Sequence, residues 1–416
     1  MNLTMKGRAQ ALAFVVAFGL IAPASAATWD RAPVPGTQCG VFPANNVWNM
    51  DVSKLPVAKK NKVWKKSMHA GSTLLHPDFG PPAYGLPFDV VDQAHQTVHI
   101  DFGYADESDP GPYPFGPDTH VEEGSDRHAL MIDEDTCTLF ELYAAEWSGG
   151  DPVAGSGAIF HLEGPNANDL RPATWTSADA AGLPIFPGLV RWGEVKAGAI
   201  QHAIRFTVDC TSRRYLWPAR HQAGSDDDRC PPMGARFRLR AGFVSSGFSA
   251  DAKVIVMAMK HYGLMVADNG SDWYFQGEVN PNWTNDLMDE LKSIPAGAFV
   301  AVDEAGCRVS PDSAAFAYGP KCPAAQSGPL TRTPSPPMMP STCRTMLTIA
   351  SATTCSIAPG PTRRSGSRRS RRSWIRSPTG SSATLASVTG WACSSWGRAR
   401  ATSRCSPRGS SDLRGE

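Results

Sequence analysis

Apolar and polar positions alternate with a period of two in several short stretches of this chain, and the alternation predicts strands. Residues 127–133 (RHALMID) and 138–144 (TLFELYA) flank Glu134-Asp135-Thr136-Cys137, which predicts a hairpin closed by a four-residue loop. In that register 133 faces 138, 130 faces 141 and 128 faces 143. His128, Leu130 and Ile132 then share a face with Leu139, Glu141 and Tyr143. Residues 199–208 predict a second clear strand, with His202 among Ile200, Ile204, Phe206 and Val208. Residues 84–100, 154–162 and 236–239 carry further strand signals. Residues 264–267 and 273–275 read as a hairpin through Asn269-Gly270.

The helical period is rarer. Ser249 is an N-cap, Asp251 sits in the first turn, and Gly263 supplies a left-handed end. Between them Val254, Ile255, Ala258, Met259 and Tyr262 form an apolar stripe. Thr284 caps a second helix, stopped by Pro295. Thr176 or Ser177 caps a short one over residues 178–181, ended by Gly182. Residues 109–117 (DPGPYPFGP) predict a surface loop or lid. With 38 glycines and 35 prolines scattered along the chain, short strands joined by irregular loops are favoured over long helices. The predicted fold is mainly β: an antiparallel β-sandwich, jelly-roll-like, with two helices in the C-terminal half. A two-domain β arrangement is the alternative.

The ends read differently from the middle. Lys6 and Arg8, the apolar run 11–22 and Ala24-Ser25-Ala26 have the three-part layout of a secretory signal peptide over residues 1–26. The apolar run is shorter than the roughly 20 residues that span a bilayer. Residues 331–416 hold 14 arginines, no lysine and two acids, a net charge of +12 that leaves residues 1–330 at −11. This basic low-complexity tail reads as disordered or as the product of a shifted reading frame, and function is not built on it. The remaining unit, residues 28–325, is acidic, which argues against a nucleic-acid partner.

Cys39, Cys137, Cys210, Cys230, Cys307 and Cys322 fall in that unit, an even number in an exported chain, and admit fifteen pairings. Sequence neighbourhood favours Cys210–Cys230 and Cys307–Cys322, which leaves Cys39–Cys137.

Candidate chemistry gathers in 199–221, AIQHAIRFTVDCTSRRYLWPARH. His128, Glu141, His202 and His221 form a candidate histidine/carboxylate centre for general acid and base work. Asp126, Arg220, Trp217 and Trp175 are candidate substrate contacts: indoles stack on sugar rings, and a guanidinium pairs with a uronate carboxylate. A metal at Asp126, His128 and His202 is a weaker reading, since neither H-x-x-x-H nor H-E-x-x-H occurs. Asp268-Asn269-Gly270-Ser271-Asp272 lacks the downstream glutamate of a calcium loop and reads as a turn. G-x-S-x-G, a P-loop and a dinucleotide fingerprint are absent.

The segments DRHALMIDEDTCTLFELYAA, AGSGAIFHL, RPATWTSADAAGLPIFPGLVRWGEV, IQHAIRFTV, YLWPARHQA and KHYGLMVADNGSDWYFQG resemble a group of exported, largely uncharacterised bacterial proteins. The resemblance runs from about Cys39 to Asp303. It implies secretion, to the periplasm or beyond, and one folded unit ending near residue 325; it carries over no catalytic residue. The expected function is an exported enzyme that degrades a polysaccharide, hydrolase or lyase. The alternatives are a non-catalytic glycan-binding or cell-envelope protein, and a metal-dependent oxidative enzyme.

Overall fold

The computed structural model describes residues 32–148 and 150–324 of the 416. The expected signal peptide and basic tail lie outside the described residues.

In chain order the strands are β1 (His76–Asp78), β2 (Asp89–Val91), β3 (Asp101–Phe102), β4 (Ala129–Asp133), β5 (Thr138–Tyr143), β6 (Glu146–Ser148) and β7 (Asp151–Ala154). They continue as β8 (Ser156–His161), β9 (Ile204–Val208), β10 (Arg236–Leu239), β11 (Leu264–Asn269), β12 (Tyr274–Gln276) and β13 (Phe299–Ala301). The helices are α1 (Asn61–Ser67), α2 (Trp192–Ala197), α3 (Ala250–His261) and α4 (Asn285–Lys292).

The predicted hairpin is β4–β5, in the expected register: Asp133 faces Thr138 and Leu130 faces Glu141. Both of its faces are covered. Leu130, Ile132 and Leu139 join the main core, while Ala129, Met131 and Leu142 join a smaller one with Ile100, Tyr113 and Phe115. β2 and β8 flank the hairpin in a four-stranded sheet, and β3, β7 and β6 form a three-stranded one.

The third sheet runs β1-β12-β9-β11-β10-β13. Its centre is β9, buried at every position. A fully buried strand needs a partner on each edge to satisfy its backbone. β9 therefore takes β11 in parallel on one side and β12 in antiparallel on the other. Hence β11 and β12 do not form the hairpin expected from Asn269-Gly270. Their connection instead crosses the end of β9, with Gly270 N donating to Val208 O at 2.9 Å and Trp273 N to Thr207 O at 3.1 Å. The parallel β9–β11 pair requires a long crossover, which contains β10 and α3.

The chain is mainly β, as predicted. Its sheets are mixed, however: six strand pairings are antiparallel and four are parallel. Three sheets of six, four and three strands with parallel pairs differ from the paired antiparallel sheets of the expected jelly roll.

The two C-terminal-half helices have the predicted caps. Ser249 Oγ accepts from Ala252 N at the start of α3, and Thr284 Oγ1 accepts from Leu287 N at the start of α4. The three disulfides are Cys39–Cys137, Cys210–Cys230 and Cys307–Cys322, the pairing that sequence neighbourhood favours.

Candidate functional site

Side chains from both larger sheets meet at a cleft of about 370 Å³. Tyr143 ends β5, Ser156 begins β8, and Asp268 lies near the end of β11. Tyr104, Glu107, Asp126, His221 and the loop 176–180 complete the wall.

The loop is built by its own polar side chains rather than by the short helix expected over 178–181. Asp179 Oδ1 accepts from Ala181 N (2.9 Å) and Leu183 N (3.1 Å), and Ser177 Oγ donates to Leu183 O (2.6 Å). Asp and Ser side chains offer the backbone such local alternatives to a helix. Gly182 turns the chain at φ +68°. Ser156 Oγ ties the loop to β8 through Ser177 O (2.6 Å), and Arg171 braces its other side through Thr176 O and Glu107 O (2.6 and 2.8 Å).

Ala180 presents both ends of its backbone to the cleft. Its N–H donates to Asp268 Oδ2 (3.2 Å), and its carbonyl accepts from His221 Nδ1 (2.9 Å). Asp268 also accepts from Asn269 N (2.7 Å). It stands at a register shift between β11 and β9, and such bulges re-aim side chains. With Nδ1 engaged, His221 has Nε2 3.7 Å from Glu107 Oε2. Glu107 is fixed in turn by Thr176 N (3.0 Å).

Beneath this layer lies Arg205, on β9 and 1% exposed. Its Nη2 is 3.6 Å from Asp179 Oδ2, while its Nε and Nη1 and that same Asp179 oxygen have no hydrogen-bond partner. Burial pushes the Asp179 carboxyl up to about 7; the Arg205 charge opposes the shift and the Asp268 charge adds to it. Burial also raises Asp268, against Arg205 and the Ala180 amide. Tyr143 is raised by burial and then by Asp126, Tyr104 and Asp268, so its hydroxyl lies within electrostatic reach of both carboxylates.

Of the sequence-predicted residues, the cleft collects Asp126 and His221 and excludes the rest. His128 is buried, with Nδ1 on Glu122 Oε2 (2.6 Å) and Nε2 on Ala178 O (3.1 Å). Burial opposes its charge, but the Glu122 hydrogen bond and charge prevail and raise it. Glu141 is fully buried and accepts from Ile185 N and Phe186 N, each at 2.9 Å. Burial pushes it up to about 7, and it serves the main chain rather than a substrate. His202 precedes β9 instead of lying on it. It is buried between Ala203 O (2.8 Å) and Glu194 Oε2 (3.1 Å).

The expected His128–Glu141–His202 centre is thus three separate, sealed interactions. Neither buried histidine has a ring nitrogen left for the metal considered with Asp126. Among the described residues, no group of three or more His, Cys, Asp or Glu side chains is arranged to hold a metal ion.

Arg220 is buried and donates to Pro311 O (2.9 Å) and Asp312 Oδ1 (2.8 Å), so its guanidinium is not available to a uronate. Trp217 donates to Ser313 O (2.8 Å) and faces a different cavity. Trp175 lies under the Arg171 guanidinium, 5.5 Å from ring centre to Cζ.

Asp179, Arg205 and Glu107 go unread in the sequence, and Asp268 is read there only as part of a turn. Arg205 left a signal, being a charge in an otherwise apolar strand, but in the phase opposite to His202.

The chain matches no protein-family model, no curated protein and no solved structure.

Proposed function

We propose that the protein is an exported glycan hydrolase whose cleft cuts a neutral polysaccharide with His221 and Asp268. The observation that carries this reading is the Ala180 backbone, which fixes an imidazole and a carboxylate on one wall. Asp268 is the carboxylate that activates water or attacks the sugar. His221, poised beside Glu107, moves the proton at the leaving oxygen. Asp179 carries a proton below about 7, which spares Asp268 a like charge behind it. Tyr104 and Tyr143 offer ring faces for sugar stacking. Positive charge developing on the sugar ring is met by Asp126, Glu107 and Asp268.

Neutral substrates are favoured over uronates for two reasons. Four carboxylates line the cleft and no lysine or arginine does. The arginine that sequence reading offered to a uronate, Arg220, is tied to Asp312. This weighs against a lyase. Export is supported by three disulfides, and no helix among the described residues is long and apolar enough to cross a membrane.

The test is reducing-end release from a panel of neutral and uronate-containing polysaccharides, with wild type and D268N. Release from a neutral glycan, reduced about 100-fold or more in D268N, is the expected result. Release unaffected by D268N, or no release from any glycan, overturns the proposal. Binding without cleavage puts a non-catalytic glycan-binding protein in its place.

A further inference from the structure

A second cavity of about 370 Å³ lies between α1 and residues 302–308 and shares no lining residue with the cleft. Trp64 and Trp217 contribute its aromatic surface, beside the exposed Leu216. Trp64 is 8% exposed, and its indole N–H is buried without a partner. Three other indoles find acceptors: Trp217, Trp273 and Trp283 donate to the carbonyls of Ser313, Met68 and Glu278. A buried donor without an acceptor has lost its hydrogen bond to water, and an acceptor on a ligand restores it.

The charge here is opposite to that of the cleft. Lys59, Lys60 and Arg308 are exposed at the lining, and Lys60 is paired with Asp228 outside it, its ammonium 3.6 Å from the carboxylate. Of its acids, Glu304 is tied to Arg236 at 2.8 Å, which leaves Asp303 at the surface. Five of the 11 lysines in the described residues fall between 59 and 66.

We infer that this cavity is a second saccharide site and that it takes an acidic sugar unit. The ring stacks on indole, a ring or hydroxyl oxygen accepts from Trp64, and the carboxylate faces Lys59 and Arg308, with the Lys60 charge shared with Asp228. The inference shares with the proposed function only the ligand class, glycan; the two sites are chemically opposed and are tested separately.

The experiment is calorimetric titration of the full chain with a galacturonic acid trimer. It compares wild type, W64F, the triple variant K59Q/K60Q/R308Q, and D268N. W64F keeps an aromatic ring against Phe237 and gives up the unpaired N–H together with the indole's second ring. The arginine-rich stretch beyond residue 331 is common to all four proteins, so differences between them report the cavity. Binding weakens about tenfold or more in W64F and in the triple variant, falls with added salt, and is unchanged in D268N. A neutral galactose trimer gives no such event. The inference is overturned if the acidic trimer does not bind, binds the triple variant as tightly as wild type, or loses its binding in D268N. Benzoate binding equally well would also overturn it, since the pocket would then be an unselective one for aromatic acids.

Discussion

His221 and Asp268 are held by the two ends of one residue's backbone: the Ala180 carbonyl accepts from the imidazole, and the Ala180 N–H binds the carboxylate. Groups fixed by one residue act as a unit, and losses within a unit do not add. H221Q and D268N should each lower kcat/KM on the neutral glycan about 100-fold or more. The double variant should fall about as far as the worse single one. Additive losses in steady-state kinetics would show that the two act independently.

Asp179 gives the site a pH signature. Its folded-state pKa, about 7, lies above its ordinary value of 3.8. The folded protein therefore binds more protons than the unfolded chain between those values, and stability declines as pH rises through the window. Above about 7 the charged Asp179 also faces Asp268, so turnover should fall on that side. D179N removes the titration. Chemical denaturation of wild type and D179N from pH 4 to 8 should show wild type losing stability relative to the variant as pH rises. Parallel curves would exclude a raised Asp179.

His128 has a structural task. Its ring joins Glu122 on one side of the hairpin to Ala178 O in the cleft loop. Its pKa is raised above 6.5 and that of Glu122 is lowered below 4.5. The histidine's contribution is thus complete below 6.5 and lost as pH rises through the folded value. The glutamate's is present above 4.5 and lost as pH falls through its own. H128Q should cost about 2–3 kcal/mol near pH 6, and less in alkaline solution. Turnover should drop less than about tenfold, far short of the loss of an acid or base. A 100-fold loss of turnover with unchanged stability would return His128 to the catalytic set.

The sequence made the local elements legible and left their assembly hidden. The β4–β5 register follows from alternation plus a four-residue loop, and both helix caps follow from single side chains. Two of the disulfides follow from proximity along the chain, and Cys39–Cys137 is the pair they leave. The neighbours of β9 were not legible, because an Asn-Gly turn between two strand signals is a local cue. The need of a buried strand for two partners is a global one. The site was half legible for the same reason. Asp126 and His221 stand out as polar groups in loops. Asp179 and Asp268 become cleft residues only when β11 settles beside β9 and draws the loop 176–183 onto Arg205. His128, Glu141 and His202 drew attention as polar groups on apolar faces, and burial gave each a hydrogen-bonded place in the interior.

The cleft loop itself depends on Gly182. At φ +68° the position strains any residue with a side chain, and a Cβ there would lie 2.5 Å from the Trp175 carbonyl oxygen, which is backbone and cannot swing aside. It would also press on Arg220 Cβ at 3.1 Å. The turn positions Ala181, whose carbonyl accepts from Arg220 N (2.8 Å) and His221 N (3.1 Å), and through it the adjoining Ala180. G182A should therefore destabilise the protein by about 1–3 kcal/mol and also displace His221 relative to Asp268. Gly198, the left-handed end of α2, is the control: φ is +87°, but a Cβ there would meet nothing within 4 Å. G198A should cost about 1 kcal/mol and leave turnover on the neutral glycan intact. If G182A keeps wild-type kcat/KM at a temperature where both variants are folded, the loop does not set the geometry of the His221–Asp268 pair.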